Sequence, residues 1–234
     1  MAKILIVEDD DDLRDVIKGY LKKEGYEILE ADNGSDGIHL AKEENPDLII
    51  LDIMLPQVDG IEVCRNIRMY SESPIITISA KNSDYDKIMA LGTGADDYVT
   101  KPFSMVELAA RVRSHLRRFT SFKGKSEAVK ETPKETKEER VFGRLCIEPK
   151  AYRVTVEGKE IRFTSKEFQL LEYLSRHPSI VYTKEQLMND VWGEAEYIDE
   201  NTIAVYIARI REKLVKEDVN VIKTVWGVGY KWDV

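Results

Sequence analysis

Four strand-like runs in this 234-residue chain, three of them wholly or mostly apolar, each end on a group able to handle a phosphoryl group. Leu48-Ile49-Ile50-Leu51 ends on Asp52, followed by Ile53-Met54-Leu55-Pro56. Ile4-Leu5-Ile6-Val7 runs into Glu8-Asp9-Asp10, Ile75-Ile76-Thr77-Ile78 ends at Ser79, and Asp97-Tyr98-Val99-Thr100 ends at Lys101-Pro102. A carboxylate attacks phosphorus only when deprotonated and in line, and the developing charge needs a cation, usually Mg²⁺, held by oxygen ligands. Glu8 and Asp9 offer carboxylates beside Asp52, and the Met54 carbonyl is placed to complete the shell. Lys101 can meet a phosphoryl oxygen as a point charge, and Ser79 can donate its hydroxyl. Lys101-Pro102 is a candidate cis peptide, which would aim the lysine inward. Asp11 and Asp12 are better explained as acids opening a helix, and Asp10 suits either a cap or the metal shell.

These groups meet only if the runs are neighbouring parallel strands. Apolar runs bounded by turn residues read as strands buried on both faces, and ligands bind at the carboxyl edge of an open α/β sheet. Between the runs lie helical patterns such as Leu13, Val16, Ile17, Tyr20 and Leu21, closed by Gly25. Strand and helix alternate through Pro102, and a last helix is predicted from Ser104 to about Arg118. Five βα units imply a parallel sheet with helices on both faces. The flavodoxin-like order 2-1-3-4-5 would set the first and third strands side by side.

The totals bound the rest. The length suits two modest domains, and a net charge of −8 advertises no global affinity for nucleic acid, so any DNA contact uses local patches. Cys64 and Cys146 have no metal spacing and read as reduced bystanders. No apolar run approaches a membrane span, and Met1-Ala2-Lys3 leads straight into a strand. A cytoplasmic protein with no membrane partner is expected. Residues 123–139 are charged, nearly free of apolar anchors and broken by one Pro, which reads as a flexible linker. The expected division is a first domain over 1–120, a linker over 121–138 and a second domain over 139–234.

The second domain has another texture. Short strands are predicted over 142–147, 153–156 and 159–163, with Glu157-Gly158 as a turn. Thr164-Ser165-Lys166-Glu167 and Thr183-Lys184-Glu185-Gln186 open two helices, and a third starts at Asn201 or Thr202 and runs through Leu214. Residues 221–232 form a hairpin around two glycines. Strands, three helices and a hairpin describe a winged helix-turn-helix. The third helix would enter the major groove, with Ile203, Ile207, Ile210 and Leu214 as its buried stripe. Thr202, Tyr206, Arg209 and Lys213 follow at i, i+4, i+7 and i+11 on another face, flanked by Arg211. Arg suits guanine, while Lys and Thr suit phosphates. A solvated basic face is the bland alternative, and the hairpin wing with its capped partner helices decides for double-stranded DNA. The wing adds Trp226 and Lys231. Trp226 can stack on a sugar or pack inward, with packing favoured.

The stretches Ile6-Val7-Glu8-Asp9-Asp10, Leu51-Asp52-Ile53-Met54-Leu55-Pro56, Asp59-Gly60 and 94–103 together resemble a response-regulator receiver domain of CheY-like fold. The second half resembles the effector of the OmpR/PhoB family, and its wing and Asn-Thr-Ile helix start are similar to the VanR-type subgroup. The resemblance implies that Asp52 accepts phosphate from a sensor histidine kinase, with Mg²⁺ at Glu8, Asp9, Asp52 and Met54. It makes Ser79 and Tyr98 the switch pair, the ring turning inward as the hydroxyl moves to the phosphate. It implies a homodimer on phosphorylation through Lys87, Asp96, Asp97, Glu107, Arg111 and Arg118, pairing Lys87 with Glu107 and Asp97 with Arg118. Solvated or intrachain pairs are the alternative, each worth little. Many relatives have Arg at Asn201, His at Tyr206 and Arg at Trp226, so this base-reading surface departs from the commonest one. The acidic loop 193–200 corresponds to the one that meets RNA polymerase.

A haloacid-dehalogenase-type phosphohydrolase is the competing enzyme reading. It needs a second Asp two residues past the nucleophile, where this chain has Met54. A phosphate-independent dimerisation module is the third reading, and the intact Asp52, Glu8, Asp9 and Lys101 argue against it. A transcription factor switched by phosphorylation, not an enzyme turning over an external substrate, is the expectation.

Overall fold

Runs of Ile, Leu and Val with no polar alternation cannot face water, and in the computed structural model they form the inner strands of a sheet covered on both faces. The structure describes residues 1–80, 83–127, 139–192 and 200–233. These fall in two compact units, Met1–Ser121 and Phe122–Val234.

In the first unit β1 (Lys3–Val7), α1 (Asp11–Lys23), β2 (Glu27–Ala31), α2 (Gly34–Glu44), β3 (Leu48–Asp52), α3 (Gly60–Arg68), β4 (Ile75–Ser79), α4 (Asp84–Thr93), β5 (Asp97–Thr100) and α5 (Met105–Glu127) alternate along the chain. The five strands are parallel in the order β2-β1-β3-β4-β5. Register aligns their carboxyl ends: Val7 pairs with Leu51, Asp52 with Ile78 and Ser79 with Thr100. Asp10 caps α1 by accepting the Leu13 N–H at 3.0 Å, so of its two expected roles it takes the cap. The Lys101-Pro102 peptide is cis.

Helix α5 continues to Glu127, past the stop expected near Arg118 and into the segment read as linker. Ser, Lys and Glu there do not forbid a helix already nucleated by an apolar face. The rest of the expected linker, 128–138, lies outside the described residues.

The second unit opens with an antiparallel sheet of β6 (Arg140–Phe142), β7 (Leu145–Glu148), β8 (Arg153–Val156) and β9 (Lys159–Glu160). The single strand expected over 142–147 is two, because Gly143, at φ 60°, turns the chain between them. Then follow α6 (Ser165–Arg176), β10 (Val181–Thr183), α7 (Lys184–Trp192), α8 (Glu200–Val215), β11 (Ile222–Val225) and β12 (Gly229–Trp232). β10, β12 and β11 form a three-stranded antiparallel sheet whose β11–β12 hairpin is the wing. The core joins Phe168 and Leu171 of α6 to Ile203 and Ile207 of α8 and Trp232 of β12. No described helix is long and apolar enough to cross a membrane.

Candidate functional site

At the aligned strand ends of the first unit, Lys101 Nζ donates to Asp52 Oδ2 at 2.6 Å and to both Glu8 carboxylate oxygens at 2.9 Å. Asp52 Oδ1 accepts the Met54 N–H at 2.8 Å. Glu8 and Asp52 are buried, whereas Asp9 is exposed. Carboxylate oxygens of Glu8, Asp9 and Asp52 lie within 4.8 Å of one another. Burial, together with the neighbouring Asp52, pushes the Glu8 carboxyl up to about 7, against the opposing pull of Lys101. Burial works against the Lys101 charge, but Asp52 and Glu8 outweigh it and hold the ammonium above its ordinary range. One cation thus serves two carboxylates, and the pocket carries net negative charge where a divalent ion would be welcome.

Gly60, quoted above only as part of the receiver resemblance, is a positioning residue. A Cβ there would stand 2.1 Å from the Asp52 carbonyl oxygen, so only glycine lets α3 begin against the end of β3. Asp59 caps that helix through the Ile61 N–H at 2.8 Å. Ser79 is fully buried, and Tyr98 stands one strand away, where Thr77 is its register partner. Burial raises the Tyr98 phenol, while a hydrogen bond with the Ser79 hydroxyl lowers it.

The charged residues expected on a dimer face are held largely within the chain. Asp96 is buried, ion-paired with Arg68, and accepts the Ile75 N–H at 2.9 Å, so it is not an exposed contact. Arg68 also donates to the carbonyls of Gly94 and Ser73, at 2.7 and 2.6 Å, locking α3 to the strands behind it. Asp97 receives Arg111 Nη1 at 3.0 and 3.1 Å and lies 3.3 Å from His115 Nε2. Burial opposes its charge, but His115 and Arg111 hold the carboxyl down to about 2. Glu107 pairs with Arg111 one turn away at 3.0 Å. The side chains of Lys87 and Arg118 lie outside the described residues, as does the acidic loop 193–199.

In the second unit, of the α8 residues expected to read DNA, Thr202 and Tyr206 are buried while Arg209, Arg211 and Lys213 are partly exposed. Tyr206 is 0% exposed and packs edge-on against Trp192, with ring centroids 5.1 Å apart; Thr202 is also buried. Arg209 and Lys213 meet Glu167 of α6 at 2.7 and 2.6 Å. The Arg209 contact is an ion pair by distance without hydrogen-bond alignment, whereas Lys213 is aligned and also donates to the Arg162 carbonyl at 2.9 Å. Glu167, itself 0% exposed, accepts the Thr164 N–H at 2.9 Å as half of the capping box. Burial raises its carboxyl, and Arg209 and Lys213 more than reverse that, so it is held down as an anion. Arg211 donates to the Ile222 carbonyl at 3.1 and 3.0 Å and to Thr224 Oγ1 at 2.9 Å, tying α8 to the wing. Lys231 pairs with Asp233 at 2.6 Å. Trp226, expected to pack inward, is 90% exposed: Gly227 at φ 75° closes the hairpin turn and leaves the indole at its tip.

Comparison with known proteins agrees with this two-part design. A family model described as response regulator receiver domain matches residues 4–113, and one described as transcriptional regulatory protein, C terminal, matches residues 158–232. Transcriptional regulatory protein ResD of Bacillus subtilis (strain 168) is 43% identical over 238 residues, covering 100% of this chain and 96% of that one. Two solved mutants of RitR align over 99% of both chains at 26% identity with a TM-score of 0.73. Matched in both halves and along its whole length, this chain belongs to the OmpR/PhoB family of response regulators, transcription regulators that answer to phosphorylation.

Proposed function

We propose that Asp52 is the phosphoacceptor, charged by the phosphohistidine of a sensor histidine kinase, and that the phosphorylated chain dimerises and binds promoter DNA sequence-specifically. The observation that carries this reading is the Lys101 ammonium shared between Asp52 and Glu8 at the carboxyl edge of the sheet. In the transfer an Asp52 carboxylate oxygen forms a bond to phosphorus as the P–N bond to the kinase imidazole breaks. The electron pair leaves on that nitrogen, which takes a proton. The all-oxygen donor set of Glu8, Asp9 and Asp52, completed by the Met54 carbonyl, suits Mg²⁺, which when bound would neutralise charge on the phosphoryl oxygens. Lys101 holds Asp52 in an ion pair beforehand and offers its ammonium to the new oxygens afterwards.

A phosphoryl group adds about −1.5 to −2 of charge at one spot, enough to draw the Ser79 hydroxyl toward it. Tyr98, now hydrogen-bonded to Ser79, then changes partner, and the α4-β5-α5 face changes with it. Glu107 and Arg111 lie on that face, and exchange of their intrachain pairs for partners across a twofold axis gives a dimer. In the second unit α8 serves as the major-groove helix, and Trp226 at the wing tip is free to stack on a sugar. Family resemblance supports assigning the acidic segment 193–200 to RNA polymerase, and a promoter target supports a cytoplasmic location.

The test is sizing by light scattering with Mg²⁺ and beryllofluoride, which stands in for a phosphoryl group on a carboxylate. A monomer-to-dimer shift in the wild type and none in Asp52→Ala is expected. An equal response in both proteins would remove Asp52 from the mechanism.

A further inference from the structure

With Thr202 and Tyr206 buried, and Arg209 and Lys213 partly exposed but paired to Glu167, another stripe of α8 is left for the groove. Val205, Ala208, Glu212 and Val215 follow at i, i+3, i+7 and i+10, one face of a helix. Ala208 and Glu212 are exposed, Val215 is 59% exposed and Val205 is half-buried. Three of these four side chains hold no hydrogen-bonding group. The fourth is acceptor-only and pairs with Lys216 at 3.0 Å.

Guanine is read by a donor fork and adenine by a side-chain amide, and these four side chains offer neither; the Asn201 side chain, one turn earlier, lies outside the described residues. The base-edge feature of the major groove that an apolar side chain recognises is the thymine 5-methyl group. Arg209 and Lys213 do not readily substitute. Withdrawing both from Glu167 would strand a fully buried carboxylate, which is strongly unfavourable. Arg211 is likewise committed to the wing strand. The stripe continues a surface already assigned to DNA, because Arg211 joins the same helix to the hairpin that carries the exposed Trp226.

We propose that Val205 and Ala208 read the operator by contact with thymine 5-methyl groups, so that each half-site carries thymine where these two side chains enter the groove. The inference rests on the DNA-binding reading above and names the bases that reading left open. Glu212, an acceptor facing the same groove, disfavours guanine, whose N7 and O6 are acceptors too, at the next position along the helix.

The experiment uses the full chain with Mg²⁺ and beryllofluoride. Bound sequences are selected from a random duplex library, and each thymine of the selected half-site is then replaced by uracil, which lacks only the methyl. Loss of about four-fold in affinity per contacted methyl is expected, the scale of one buried methyl group. Ala208→Gly should abolish the uracil effect at one of the positions, which separates methyl contact from altered duplex stiffness. Ala208 is exposed, so Ala208→Asn keeps the fold and should move the selected base at that position from thymine to adenine. A half-site tolerant of uracil throughout, or a selected sequence unchanged by Ala208→Asn, overturns the inference and leaves DNA binding standing; the stripe would then be free for a protein partner. Recovery of no sequence at all overturns both.

Discussion

Asp52 and Glu8 compete for one ammonium, and that competition costs stability in the resting protein. Glu8 is pushed up to about 7 by burial first and by Asp52 second. Removing the Asp52 charge leaves Lys101 wholly to Glu8, with no buried cation stranded. Asp52→Asn should therefore unfold at a temperature equal to or above that of the wild type, within about 1 kcal/mol or more stable, as expected where function is bought with stability. Thermal scans with and without beryllofluoride check this: the ligand should raise the midpoint of the wild type and not of the variant. A variant several degrees less stable would mean that Asp52 is a structural carboxylate. Asp97 has the opposite sign. Its carboxyl falls from 3.8 to about 2 on folding, despite burial, because His115 and Arg111 favour the anion. A depressed folded pKa gives stability that is complete above the unfolded value and lost as pH falls through the folded one, here about 2 kcal/mol. The stability gap between wild type and Asp97→Asn should be constant from about pH 7 to 5 and shrink between about pH 4 and 2. Denaturant melts over that range measure it, and a gap indifferent to acid would deny the carboxylate its role. At this scale the acceptor pocket was legible because its polar members each terminate a strand-like run, and parallel pairing collects such ends. His115 was not legible, since a single histidine within a helix carries no pattern naming a partner eighteen residues back.

Helices and strands meet at Gly60 and Glu167, and each carries a prediction. In Gly60→Ala the new methyl would overlap the Asp52 carbonyl, so either α3 recedes or the end of β3 shifts. Overpacking of this kind costs about 1–3 kcal/mol. Because the displaced residue is the proposed phosphoacceptor, acceptance of beryllofluoride should fall more than stability does, read by titrating the dimer shift against denaturant melts. Glu167→Ala leaves the partly exposed Arg209 and Lys213 without their anion, and a loss of about 3 kcal/mol is expected, the low end for a broken buried pair because both cations can reach solvent. Glu167→Gln keeps the shape and the Thr164 N–H bond while removing the charge, so it should fall between the two. Equal stability of all three proteins would mean that both cations already face solvent. The packing of α8 explains why Thr202 and Tyr206 do not stand on an exposed face. A helix packed on one side has one buried stripe, and the sequence pattern assigns that stripe to the isoleucines of α8. This helix is packed on two sides, against α6 and α7, so Tyr206 and Thr202 are interior as well. The charge that draws Arg209 and Lys213 inward lies more than forty residues earlier, where helical periodicity carries no information about it.

Over the whole molecule the division into two folds was the most legible feature, because the βα alternation stops abruptly and a different strand-helix-hairpin order begins. The end of α5 was less so: helix propensity falls gradually through Ser, Lys and Gly, with no Pro before the charged segment to stop it. Each unit closes its own core, one around Ile50, Ile78 and Leu108, the other around Leu171, Ile207 and Trp232. Two such units should melt as separate cooperative events. Calorimetry of the full chain should then resolve two transitions that the variants move one at a time. Asp97→Asn lowers the transition of the first unit and leaves the other in place, Glu167→Ala does the reverse, and beryllofluoride raises only the first, by mass action on the folded receiver. If Glu167→Ala lowered both transitions equally, the receiver and the effector would form one cooperative unit. Phosphorylation would then be felt at the DNA through the stability of the whole chain. Independent transitions instead require that the message pass through dimer geometry, the route proposed above through exchange of the intrachain Glu107 and Arg111 pairs.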